Sequence, residues 1–166
     1  MYTGINENEL ILPNIVDALT DYCNVQQDID ATKCKSAQLI AQSIDIKRVI
    51  GEDNLQRCIE DPSGDEEMST ADKQLKALII PALCFYTYSR LLRLYHTIFT
   101  DSGLITASED GAEDRNTAKS LSNEAKSVAE DFMLDVVEFL EEESDDDAVQ
   151  QVGKIVPRIQ VFGGGE

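Results

Sequence analysis

From Leu75 to Tyr95 the chain is apolar on nearly every side of a helix, and this one stretch decides most of what the sequence can fold into. Leu75, Leu78, Ile79, Ala82, Leu83, Tyr86, Leu92 and Tyr95 recur at helical spacing. A helix so evenly apolar is stable only where other elements cover it from several sides. Ser69 and Asp72 stand three apart just before it, a capping-box variant with Asp in place of Glu or Gln, which predicts its start. Pro81 removes one backbone donor within it and predicts a kink. The expected architecture is a helical bundle with this segment at the centre.

The covering elements are legible on both sides. Ala118, Leu121, Ala125, Val128 and Phe132 alternate by three and four, and Val136 with Phe139 or Leu140 continues the stripe, so residues 114–142 read as a long amphipathic helix. Six acids between Glu141 and Asp147 meet the negative end of its dipole and predict fraying there. Upstream, Pro13 opens a short helix over residues 13–23. Asp30 caps a second helix whose apolar face is Cys34, Ala37, Ile40, Ala41 and Ile44, and Gly51 ends it. A helical turn over residues 53–59 and a polar loop over 61–67 follow. The segments 97–100 and 104–106 flank Asp101, Ser102 and Gly103 and read as a hairpin. Ile155 to Phe162 is β-branched and held extended by Pro157. The expected fold is all-α: a helical domain over residues 1–147 with a long C-terminal amphipathic helix and a small β-hairpin insertion, then an extended arm over 148–166.

Charge restricts the partners. Of the net charge of -18, residues 101–147 supply the most, with sixteen acids against three bases. A surface of this sign repels phosphate and anionic lipid, which disfavours ordinary nucleic-acid and membrane-surface binding. The longest apolar runs, such as residues 77–85, fall short of the roughly 20 residues that span a bilayer, so a soluble chain made in the cytoplasm is expected.

The residues needed for catalysis are scarce. Cys23, Cys34, Cys58 and Cys84 are too widely spaced for a zinc or redox motif and read as small apolar core residues. The one histidine, His96, reads as a helix-end residue. Paired carboxylates such as Glu66 with Glu67, or Asp145 with Asp146, fall where no apolar pocket would shift their pKa. Gly163 to Gly165 lack the lysine and following helix of a phosphate loop. No cofactor, metal site or enzymatic activity is expected. Tyr86, Tyr88 and Tyr95 with Arg90 and Arg93 form an aromatic and basic cluster for which core packing is the simplest account. Arg90 and Arg93 are then the natural partners for a carboxylate on a neighbouring chain. Ile155, Val156, Ile159, Val161 and Phe162 cannot be covered by the glycine-rich end beside them, so they are expected to pack on an adjacent subunit, the alternative being a strand that returns to its own helices.

Ile29-Asp30-Ala31 leading to Ala41-Gln42, then Val49-Ile50-Gly51 and Leu55, then Leu78 to Leu83 through Tyr86 and Tyr88-Ser89-Arg90, resemble a family of head-to-tail connectors of tailed bacteriophages. The likeness is greatest to ring proteins beneath the portal of crAss-like and other Bacteroidales phages. It spans residues 29–140 and rests on packing residues. What it implies is a helical protomer in a homo-oligomeric ring, commonly of twelve copies, placed in the virion between the portal and other tail or ring proteins, around a channel through which DNA passes without specific binding. In such a ring Asp145, Asp146 and Asp147 would belong to an acidic channel wall. A second expectation from another class is an acidic decoy that mimics DNA and blocks a DNA-binding host protein; a small-molecule enzyme ranks third.

Overall fold

The computed structural model describes residues 7–25, 29–59, 67–94, 97–100, 103–106 and 112–146. These residues form an all-α bundle: α1 (Ile15–Cys23), α2 (Ala31–Ile40), α3 (Lys47–Arg57), α4 (Thr70–Leu94) and α5 (Ala112–Asp146), with a π-helical turn, Ala41–Ile46, joining α2 to α3 without a break. Between α4 and α5, β1 (Thr97–Thr100) and β2 (Gly103–Thr106) run antiparallel, with Ile98 opposite Ile105 and Phe99 opposite Leu104. The arm over residues 148–166, His96 and the turn at residues 101–102 lie outside the described residues.

Local chemistry sets the helix ends. Asp30 Oδ1 accepts from the backbone N–H groups of Thr32 and Lys33 at 2.9 and 3.3 Å, satisfying two donors that α2 would leave open. Asn24 ends α1 in the left-handed conformation that Asn tolerates better than other non-glycine residues. Gly51, at φ 82°, breaks the helical path inside α3. A side chain there would meet no neighbour, so it is the backbone conformation alone that asks for glycine. Ser69 Oγ accepts from Asp72 N at 3.0 Å and donates to the Asp72 carboxylate at 2.7 Å, which fixes the first turn of α4.

α4 occupies the centre. Leu75, Ile79, Ala82, Leu83 and Tyr86 pack with Ala41, Ile46, Ile50, Leu55 and Cys58 from the α2–α3 side and with Ala129, Met133 and Val136 of α5. Cys84 and Leu91 face a second cluster made with Ile15, Leu19 and Val25 around α1 and with Cys34 and Ala37 of α2. Each fully buried leucine or isoleucine here contributes about 1.5–3 kcal/mol relative to an exposed one. Phe85 stacks on Phe132 with ring centroids 5.8 Å apart, tying α4 to α5. The helix runs on through Pro81, which leaves the carbonyl of Ala77 without its helical donor on an exposed turn where water can reach it. By length and composition α4 would suffice to cross a membrane, but 61% of its most apolar window is buried inside the bundle.

The π-helical turn changes the phase of the α2 face. Cys34, Ala37 and Ala41 are buried as the sequence predicts, but Ile44 is 51% exposed and Gln42, Asp45 and Ile46 turn inward instead. The wider turn adds residues per revolution, so positions beyond it no longer follow the spacing set before it.

Candidate functional site

Three polar seams hold the helices, and they determine which surface of α5 faces out. In the first, Arg90 of α4 meets Asp45 of the π-helical turn: Nε donates at 3.0 Å, and one terminal nitrogen donates to both carboxylate oxygens at 2.8 and 2.9 Å. The Asp45 side chain is 6% exposed and that of Arg90 27%. Sequence reasoning assigned Arg90 a carboxylate on a neighbouring chain; the fold supplies one from the same chain, because the π-helical turn rotates Asp45 toward α4. Arg93 likewise bonds within the chain, donating from Nε to Ser122 Oγ at 2.8 Å and from a terminal nitrogen to Asn123 Oδ1 at 2.6 Å. The second seam lies just beneath. Ser89 Oγ donates to Ser122 O at 2.9 Å and Ser122 Oγ reaches Ser89 O at 3.1 Å, a reciprocal pair between α4 and α5 in a buried setting.

The third seam is centred on Arg57, which the sequence did not single out. Its Nε donates to Asp72 at the start of α4 at 2.6 Å, and its terminal nitrogens donate to both oxygens of Glu143 near the end of α5 at 3.0 and 2.7 Å. Glu143 raises the Arg57 pKa above its ordinary value, against the opposing effect of partial burial, with Asp72 adding to the rise. Hydrogen bonds from Ser69 and Arg57 hold the Asp72 carboxyl below the usual carboxylate range. This seam explains a departure from expectation: α5 stays helical through Asp146 rather than fraying at Glu141. One acid of the run, Glu143, is paired with Arg57, which offsets part of the repulsion at that end. Asp145 and Asp146 belong to the last turn of α5, although their side chains, like all of Asp147, lie outside the described residues. Ile155, Val156, Ile159, Val161 and Phe162 lie outside them as well.

With its inner side committed, α5 shows water a face of Glu124, Asp131, Asp135, Glu138, Glu141 and Glu142, all exposed, with Leu134 among them at 57% exposure. Cations on that helix are few; Lys126 lies 3.6 Å from Glu130 one turn on. Among the described residues no group of three His, Cys, Asp or Glu side chains is placed to hold a metal. The four thiols are free, and Cys34, Cys58 and Cys84 are buried. Burial pushes the thiols of Cys34 and Cys58 up to about 11 and that of Cys84 up to about 12, which leaves them poor nucleophiles at neutral pH. What the described residues offer is a helical bundle whose α5 carries an exposed acidic face.

A model of a family of unknown function (DUF6712) matches residues 46–152, from the end of the π-helical turn to just beyond α5. No curated protein and no solved structure matches the chain.

Proposed function

We propose that this chain, which belongs to the family of unknown function DUF6712, is a structural ring subunit of a tailed-phage virion, about twelve copies of which join portal to tail around the DNA channel. The observation that carries this reading is the outward face of α5, acidic from Glu124 to Glu142 while the opposite face is buried against α4. Repeated around a channel, such a face repels duplex phosphates over a range of about 10 Å at physiological salt and lets DNA slide without sticking. Asp145, Asp146 and Asp147 continue the run and in this reading belong to the same wall. The sequence resemblance to head-to-tail connectors points the same way. In the finer picture the bundle carries a β-hairpin insertion and an extended arm, and Ile155, Val156, Ile159, Val161 and Phe162 of the arm dock on the next subunit. The subunit is neither an enzyme nor a cofactor carrier and has no membrane partner; it is made in the host cytoplasm and ends in the virion.

Mass spectrometry and imaging of purified particles test this: the chain should be present in a ring at the head-to-tail junction. Its absence from particles would sink the connector reading. The acidic face also suits a DNA mimic, and that second reading predicts instead that the chain is missing from particles and retains a DNA-binding host protein on an affinity column.

A further inference from the structure

The π-helical turn that swings Asp45 in to Arg90 swings Ile44 out. One turn further on, Arg48 is exposed and makes no ion pair with any described residue. On α5, Leu134 is exposed among Asp131, Asp135 and Glu138, which are likewise exposed and likewise without an ion-pair partner among the described residues. Each face thus has an apolar centre, and the charges around the two centres are opposite. We propose that they are two halves of one contact, in which Ile44 and Arg48 of one copy of the chain seat on Leu134, Asp131 and Glu138 of a second copy.

The choice of partner follows from charge. A chain of net charge -18 resists self-contact unless cations are placed where acids must approach. Four large apolar side chains are exposed among the described residues: Tyr22, Ile44, Leu94 and Leu134. Tyr22 follows Asp21, and Leu94 follows Arg93, whose guanidinium is already held by Ser122 and Asn123. Ile44 alone has an unpaired cation one turn away; its other basic neighbour, Lys47, is paired with Glu52. Two α5 faces brought together would set acid against acid, so the α5 face selects the Ile44 face and not its own kind. Because the two halves are different surfaces, the contact is heterologous and repeats from copy to copy, giving a ring when the rotation closes. The inference rests on the reading of the chain as an oligomeric subunit and adds the contact to it.

Full-length protein carrying Ile44→Asp, Leu134→Asp, Arg48→Glu or Asp131→Arg, and the charge swap Arg48→Glu with Asp131→Arg, would be compared with the native chain by sedimentation and native mass spectrometry, with circular dichroism confirming the fold. All the positions are exposed, so folding should be unaffected. Each single change should weaken self-association roughly tenfold or more, and the charge swap should return it to within about threefold of native. A native chain that stays monomeric at every soluble concentration overturns the contact, as do single changes without effect or a swap that fails to recover. Cyclic species that persist unchanged in every variant overturn this contact and leave the connector reading standing. Association that follows the variants yet never closes into a cyclic species, even with the portal added, overturns the connector reading and leaves the contact.

Discussion

Replacing Arg90 by Met should be among the most damaging single changes that leave the apolar core intact. The guanidinium supplies three hydrogen bonds of 2.8 to 3.0 Å to a carboxylate that is 6% exposed. Removing it strands a buried charge, which typically costs about 3–5 kcal/mol, and the exposure of Arg90 itself places this site at the lower end, about 3 kcal/mol. A domain of this size has only about 5–15 kcal/mol in all. Urea unfolding followed by far-ultraviolet circular dichroism should show the midpoint falling with the slope unchanged. Asp45→Leu added to Arg90→Met should recover most of the loss, because no charge then remains in the interior. For contrast, Lys47→Ala removes an ion pair with Glu52 in which both side chains are nearly half exposed and screened by water, and it should leave the midpoint nearly unchanged. A loss on Arg90→Met no larger than that on Lys47→Ala, or a double variant no more stable than Arg90→Met alone, would refute the reasoning.

Three further outcomes follow from the same packing. Asp72 is held below its ordinary carboxylate value by Ser69 and Arg57, so the stability it contributes is present above that ordinary value and is lost as pH falls through the acid range; Ser69→Ala should flatten the acid limb of a stability-against-pH curve. Both amide atoms of Gln38 are buried with no hydrogen-bond partner among the described residues, so Gln38→Met should raise stability by about 1 kcal/mol or more, and a decrease would reveal a partner for that amide. Burial should keep Cys34, Cys58 and Cys84 unmodified by iodoacetamide at mildly alkaline pH in the folded protein, with all four cysteines reacting once it is unfolded, as counted by intact mass.

The helical class, the central place of α4 and the caps at Asp30 and Ser69 were legible in the sequence because each depends on neighbours within a few positions. Ile44 was not. Its spacing from Ala37 and Ala41 predicts burial only for a helix of constant pitch, and nothing in residues 41–46 marks the π-helical turn that alters it. Arg90 was recognised as a cation in need of a carboxylate, yet its partner lies 45 positions away and becomes reachable only through that turn. Arg57 was missed for a similar reason, since Glu143 is 86 positions distant. The same contact explains why α5 outlasts its own unfavourable dipole. Of the candidate surface, the acidic side of α5 could be read from periodicity, whereas the basic and apolar spot at Ile44 and Arg48 became visible only once the helix phase was known.

The central claim, that the chain works as a subunit of a ring, is tested most directly by the native mass of the purified protein measured alone and with its portal. The account predicts one discrete cyclic oligomer in the presence of the portal, most simply of twelve copies, whether or not the ring also forms without it. A chain that remains monomeric both alone and with the portal would contradict it.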